Sequence, residues 1–244
     1  MDKKHFFDEC ERIFSLNRCV PLPEAETLEK LFSLSEIMLE VNEKMNLTAI
    51  TDTSGMILKH YLDSLTVSEY IPSGANIIDV GCGAGFPSLP LAIARPDIRI
   101  TALDSTAKRI NYVNSTAKEL RLPNLLGITA RAEELANDKE HRERYDVATA
   151  RAVADLQILA ELCLPFVKVG GVFAAMKAAK GEEELARSKN AIKTCGGAPA
   201  KLVSLELTAN GSDFEKRSII LSNKVAPTPN NYPRNFGRIQ KKPL

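Results

Sequence analysis

The stretch that most constrains this chain is Asp79-Val80-Gly81-Cys82-Gly83-Ala84-Gly85, preceded by Asn76-Ile77-Ile78 and followed by Phe86-Pro87-Ser88-Leu89-Pro90-Leu91-Ala92-Ile93-Ala94. An apolar run, three glycines at alternate positions and a second apolar run describe a strand, a tight loop and a helix. Glycine allows φ > 0 and lets a ligand lie against the backbone. A helix starting just beyond presents unpaired N–H groups to an electron-rich ligand. The spacing is D-x-G-x-G-x-G, which differs from the G-x-G-x-x-G of the dinucleotide fingerprint. A bare βα turn has the same local pattern, so the neighbouring strands must decide whether a cofactor sits here.

After residue 76 strands alternate with helices. Runs at 98–103, 125–130, 145–150 and 172–176 read as strands, and 108–120, 133–142, 155–167 and 182–194 as helices, with Gly170-Gly171 as the turn into the fifth strand. Such alternation implies a parallel sheet covered on both faces. Residues 202–207 and 217–221 then alternate like two paired strands at one sheet edge. Before the glycine loop, 5–19, 24–45 and 56–70 carry apolar residues at helical spacing, among them Leu28, Leu31, Leu34, Met38, Val41 and Met45, a stripe that faces a core. The expected organisation is an N-terminal helical extension over 1–70, a main domain over 71–224 and a basic C-terminal tail over 225–244. No Gly- or Ser-rich linker separates the extension, so it is expected to pack on the main domain.

Composition removes several classes. No run approaches the roughly 18 apolar residues of a membrane span, and Met1-Asp2-Lys3-Lys4-His5 opens no signal-peptide core. The five cysteines are scattered without a C-x-x-C pair, and only three histidines are present. Free thiols in a reducing cytosol and no metal site are expected. The net charge of +1 gives no global attraction for nucleic acid, yet Lys224, Arg234, Arg238, Lys241 and Lys242 lie in a final stretch that holds no Asp or Glu. That end reads either as a phosphate contact or as a solvated tail.

Ligands of doubly wound sheets bind at the carboxyl ends of the strands. The second strand ends in Asp104, where a carboxylate can accept from both hydroxyls of a ribose. The third ends in Arg131-Ala132-Glu133, where an adenine edge could meet backbone and carboxylate, and the fourth in Arg151. A nicotinamide cofactor and S-adenosylmethionine both need such a ribose and adenine site. The glycine spacing and the antiparallel final pair favour the methyl donor. The expected fold is therefore α/β: a doubly wound, seven-stranded S-adenosylmethionine-dependent methyltransferase sheet with an N-terminal helical extension. The Asn/Asp-Pro-Pro-aromatic sequence of many amine methyltransferases is replaced by Ala150-Arg151-Ala152-Val153, and no strand end carries the cysteine needed for covalent activation of pyrimidine C5. Acceptors that are nucleophilic unaided remain, guanine N7 among them. No general base and no other catalytic side chain is expected.

Further stretches sharpen this. They are Asn46-Leu47-Thr48-Ala49-Ile50, His60-Tyr61-Leu62-Asp63-Ser64-Leu65, the glycine loop with Phe86-Pro87, Asp104-Ser105-Thr106-Ala107-Lys108-Arg109, Arg131-Ala132-Glu133-Glu134, Ala150-Arg151-Ala152, Met176-Lys177-Ala178-Ala179, and Tyr232-Pro233-Arg234 with Gly237 and Lys241-Lys242-Pro243-Leu244. In this order the chain resembles the bacterial 16S rRNA guanine-N7 methyltransferases, the glucose-inhibited division protein B family. It departs from them at Cys82 and Ser88, where the family commonly has Ser and Gly, at Arg238-Ile239-Gln240, and in lacking an aromatic residue before Asn46.

The resemblance implies methyl transfer from S-adenosylmethionine to N7 of guanine 527 in the 530 loop. The partner would be 16S rRNA or a small-subunit assembly intermediate, and the enzyme a cytoplasmic monomer with no membrane association. It implies that Gly81 and Phe86 flank the donor, Gly83 and Gly85 shape the loop, Asp104 holds the ribose, and Ala132 and Glu133 lie along the adenine. Arg151 would sit beside the methionine part and the incoming base, with Arg131, Lys177 and Arg234 reaching toward RNA. Arg131 could instead pair with Glu134 or Asp104, Lys177 could be solvated, and Asn46 could brace the N-terminal helices. Two rivals are a methyltransferase for a small molecule or protein, and a non-catalytic rRNA-binding assembly protein.

Overall fold

The computed structural model describes residues 1–244. Strands β1 (Asn76–Val80), β2 (Arg99–Asp104), β3 (Leu125–Thr129), β4 (Tyr145–Arg151), β5 (Val167–Lys177), β6 (Lys201–Thr208) and β7 (Phe214–Asn223) form one sheet in the order β3-β2-β1-β4-β5-β7-β6. The first five are parallel, and β7 runs antiparallel to both β5 and β6. Strand order reverses between β1 and β4, which opens a crevice at their carboxyl ends. In register, Val80 lies beside Leu103, Asp79 beside Thr149, and Asp104 beside Thr129, so four strands end at one rim.

The fifth strand begins earlier than its apolar run suggests. Gly170-Gly171 lies inside β5, where a Cβ on Gly171 would come within 2.5 Å of the Asp146 carbonyl oxygen. Gly171 serves close strand approach, while Gly170 takes φ 92° within the bulge where the register jumps from Tyr145–Val167 to Val147–Val172.

The helices are α1 (Lys3–Leu16), α2 (Ala25–Met45), α3 (Thr53–Gly55), α4 (Asp63–Leu65), α5 (Ser88–Ala94), α6 (Ala107–Glu119), α7 (Ala132–Leu135), α8 (Leu156–Cys163), α9 (Gly181–Thr194) and α10 (Phe236–Lys241). A π-helical segment, Met56–Leu62, joins α3 to α4 in one continuous rod. Asp2 caps α1 by accepting from the N–H groups of Lys4 and His5. Asn46 ends α2 in the left-handed conformation, φ 49°, which Asn tolerates better than most residues. The helix expected over 133–142 stops at Leu135, because Asn137, Asp138, Lys139 and Glu140 provide no apolar stripe to bury.

Alternation along β1 divides the interior in two. Ile77 faces a core shared with Phe6, Leu31, Met38 and Tyr61 of the N-terminal helices, and Ile78 faces Leu159, Phe166 and Ile192 on the other side. The N-terminal extension thus shares the cover of one face of the sheet with α5 and α6. At the other end, the basic stretch over 225–244 is no solvated tail. Buried Lys224 donates from Nζ to the Leu164 carbonyl (2.7 Å) and the Thr228 hydroxyl (2.7 Å), Arg142 donates to the carbonyls of Thr228 and Tyr232, and Ile239 is fully buried.

Candidate active site

The rim at the strand ends opens into a cleft of about 990 Å³, lined by the glycine loop, the ends of β2, β3 and β4, and residues of the N-terminal rod. The three loop glycines have φ of 76°, 56° and 85° at positions 81, 83 and 85, values that L side chains resist. Gly81 has a second constraint: a Cβ there would lie 2.7 Å from the Val153 side chain. Nothing lies within 4 Å of the corresponding point on Gly83, so the middle of the loop is open. The loop is fixed to the end of β2 by N–H bonds from Gly81 and Cys82 to the Leu103 carbonyl, at 2.7 and 2.9 Å.

Asp104 is built into the same arrangement. Its Oδ2 accepts from the Gly83 N–H (3.0 Å), its Oδ1 accepts from the Thr106 N–H (2.8 Å), and Arg109 lies 3.6 Å away. Each carboxylate oxygen keeps a further lone pair, so two vicinal hydroxyls could still donate to it. At the end of β3, Glu133 is mostly buried and accepts from Arg131 Nε at 2.6 Å. Ala132 and Glu133 open α7, where backbone N–H groups have no helical partner. The partner of Arg131 is thus Glu133, not Glu134 or Asp104, and its guanidinium also lies 5.2 Å from the centre of the Phe236 ring.

On the other side of the glycine loop stands Arg151. Its Nη1 donates to Asp63 Oδ2 (2.9 Å) and to the Lys59 carbonyl (2.7 Å), and its guanidinium lies over Phe86 at 5.3 Å. His60 also stacks on Phe86, at 4.4 Å with 12° between the planes. Asp63 also meets Arg217 Nε at 3.2 Å, Arg217 meets Glu215 at 2.8 Å, and Glu215 meets Lys59 at 2.7 Å. This chain of alternating charges ties the rod to β4 and β7 and fixes Arg151 in place. Nε and Nη2 of Arg151 have no protein partner.

Burial tunes the buried ionisable groups. It raises Asp79, which accepts from the Ser88 hydroxyl at 2.5 Å, to about 6. It lowers His60 to about 4, with the charge of Arg151 acting in the same direction. It pushes the Cys82 thiol far up, so Cys82 stays protonated and is no nucleophile. No three His, Cys, Asp or Glu side chains gather as a metal site, and no helix is long and apolar enough to cross a membrane.

Two residues expected at an RNA surface are drawn inward. Lys177, at the end of β5, has a side chain only 6% exposed, because its Nζ is held by Glu184 (2.8 Å) and the Ala154 carbonyl. Glu184 also accepts from the Leu156 N–H at 2.8 Å, so the ion pair braces the loop after β4. Arg234 turns to Glu161, which accepts from its backbone N–H (2.8 Å), Nε (2.8 Å) and Nη2 (2.6 Å). A fully buried carboxylate needs such a partner, and Arg234 is the residue that supplies it. His60, Asp63, Arg217 and Phe236 are site residues to which the sequence assigned no part. The i, i+3 spacing of His60 and Asp63 was the one local sign that both belong to a single helix face.

Sheet order, antiparallel β7 and a three-glycine loop facing an acidic residue at the end of β2 define the doubly wound fold of S-adenosylmethionine-dependent methyltransferases. Among solved structures of this fold is M. jannaschii TYW2 in complex with AdoMet (TM-score 0.52, 17% identity, covering 68% of this chain and 76% of that one). The [4+2]-cyclase SpnF matches equally well (TM-score 0.51, 14% identity, 68% and 81% covered), so the fold by itself names no reaction. Sequence relationships do more. The family model described as GidB, rRNA small subunit methyltransferase G, matches residues 27–212. Ribosomal RNA small subunit methyltransferase G of Alkaliphilus metalliredigens (strain QYMF) is 44% identical over 220 residues, covering 89% of this chain and 90% of that protein. The protein of the same name from Lysinibacillus sphaericus (strain C3-41) is 46% identical over 211 residues, covering 86% and 87%. The chain belongs to the GidB family of small-subunit rRNA methyltransferases.

Proposed function

We propose that this protein transfers the methyl group of S-adenosylmethionine to N7 of guanosine 527, in the 530 loop of 16S rRNA. The observation that carries the reading is the Asp104 carboxylate, pinned by the Gly83 and Thr106 N–H groups and facing the same cleft as Arg151. The residues present fit the donor. Asp104 would hold its ribose, Ala132 and Glu133 its adenine, the open backbone at Gly83 would accommodate close approach, and Gly81 and Phe86 would flank it. When bound, S-adenosylmethionine supplies an electrophilic methyl group on a sulfonium.

Guanine N7 has an in-plane lone pair and no proton, so the acceptor needs no general base. The side chains here agree with that: His60 is buried and bonded to Thr48 (2.9 Å), and Asp79 is bonded to Ser88. The protein's part is orientation and electrostatics. Arg151, held by Asp63, keeps Nε and Nη2 for the O6 of the incoming guanine. Phe86, in contact with both His60 and Arg151, gives an apolar wall. Positioning of this kind can supply roughly 7–11 kcal/mol of the barrier. Single-stranded RNA exposes the N7 edge far better than an A-form duplex, which favours a loop as acceptor.

The test is incubation with methyl-labelled S-adenosylmethionine and either naked 16S rRNA or 30S particles, followed by nucleoside mass spectrometry. Label in 7-methylguanosine is expected. Label in another nucleoside would overturn the N7 assignment, and no label in either sample would overturn the rRNA reading in favour of a small-molecule or protein acceptor, or of an assembly role.

A further inference from the structure

The structure assigns Phe236, in the C-terminal segment, to the outer wall of the adenine pocket. The inference rests on the donor reading above and extends it to a part of the chain that the sequence connected only with RNA. Phe236 is partly exposed and lines the same cleft as Asp104 and Glu133. It lies under the Arg131 guanidinium, and Arg131 in turn holds the Glu133 carboxylate. Ring, guanidinium and carboxylate therefore form one connected group at the end of β3.

Position within the sheet decides which ligand part this group meets. β3 and β4 are separated by β2 and β1, three strand spacings or about 14 Å. Arg151 and Phe86 mark the end where methyl transfer would occur. Phe236 stands at the opposite end, beside the proposed adenine edge and away from the acceptor base. A flat heteroaromatic ring there would meet an aromatic side chain and a guanidinium plane, the surfaces on which nucleobases stack.

The ring is also held in place. Arg234 is fixed on Glu161 by three bonds and donates from Nη1 to the Lys242 carbonyl at 3.1 Å, Asn235 caps α10 by accepting from the Arg238 N–H at 3.0 Å, and Ile239 is fully buried one turn beyond Phe236. Phe236 is thus preplaced by anchors that do not touch the cleft, and its role can be probed without disturbing them.

Phe236→Ala is to be compared with wild type by calorimetry, using S-adenosylmethionine and 5′-methylthioadenosine, which keeps the adenosine and lacks the amino-acid part. Loss of one base–aromatic stack should weaken both ligands by the same factor, roughly 5- to 100-fold, with an unchanged melting temperature and with affinity restored in Phe236→Tyr. If the alanine variant melts early, Phe236→Leu serves in its place and should also weaken both ligands by the same factor. Unchanged affinity for both ligands, or loss for S-adenosylmethionine alone, would overturn the assignment. So would weaker 16S rRNA binding with donor affinity intact, which would place the ring at the RNA. Failure of the wild-type protein to bind S-adenosylmethionine would overturn the donor reading itself and is a separate result.

Discussion

Replacing Arg234 with alanine removes two of the three hydrogen bonds that Glu161 accepts and leaves only the backbone N–H at that position. Glu161 has no exposed surface, while the Arg234 side chain is 21% exposed. Removing one partner of a buried pair costs about 3–5 kcal/mol, because a charge is left without compensation. The partial exposure of the arginine puts the expectation at the lower end, about 3 kcal/mol. For a chain of this size that corresponds to a fall in melting temperature of roughly 6–12 °C. The assay is urea unfolding at neutral pH, with 16S rRNA affinity measured in parallel at one fixed salt concentration. Arg234→Met combined with Glu161→Gln should recover part of the loss, since a neutral amide needs no counter-charge and its oxygen can still accept from the backbone N–H at 234. Should Arg234→Ala stay within about 0.5 kcal/mol of wild type while RNA affinity drops, the arginine would be an RNA contact and the bracing role would be refuted.

Three more outcomes are expected. Asp104→Ala should weaken S-adenosylmethionine by roughly 10- to 100-fold in calorimetry, the loss of hydrogen bonds to a charged acceptor; equal affinity would overturn the ribose assignment. Asp63→Asn should lower kcat by roughly 10- to 100-fold with little change in affinity for 5′-methylthioadenosine, because it loosens Arg151 without touching the nucleoside end of the cleft; weaker 5′-methylthioadenosine binding with unchanged kcat would place Asp63 elsewhere in the mechanism. Two buried groups make opposed contributions to the pH dependence of stability. His60 is lowered from 6.5 to about 4, so its contribution is full above pH 6.5 and lost as pH falls through 4. Asp79 is raised from 3.8 to about 6, so its contribution is full below pH 3.8 and lost as pH rises through 6. Each is worth about 3 kcal/mol. His60→Gln should therefore remove stability loss on acidification from pH 6.5 to 4, and Asp79→Asn should make that loss steeper; parallel unfolding curves for all three proteins would show that neither group is buried as described.

The strands and the donor end of the cleft were legible because their signals are local. Apolar runs mark β1 to β5, glycines mark the loop, and Asp104 follows the loop at the end of the next strand. The antiparallel strands β6 and β7 were visible through alternation, although β7 starts at Phe214, before the alternation becomes clear. What stayed hidden depends on distant partners. Glu161 and Arg234 are 73 residues apart, and Asp63 and Arg151 are 88 apart. An acid-free basic stretch therefore read as a phosphate contact or a solvated tail when its counter-charges, Glu161 and Glu143, lie on other elements. Lys177 looked free although its partner Glu184 is close in sequence, because only the turn from β5 into α9 brings the two side chains together. Phe236 carried no signal at all, because a lone aromatic in a polar tail acquires meaning only when Arg131 is beside it.

The π-helical segment makes residue count a functional quantity. At its end the Asp63 N–H reaches back to the Leu58 carbonyl, five residues away, where an α-helix would use four. Deleting one residue between Met56 and Lys59 would let the rod wind as a regular helix, a local gain. A deletion in the regular turns of the rod would instead rotate one half about 100° against the other. Either the apolar face would leave the core or Asp63 would turn away from Arg151. Insertion or deletion outside the π segment is therefore more damaging than most substitutions, while the segment itself keeps its extra residue against the helix's own preference.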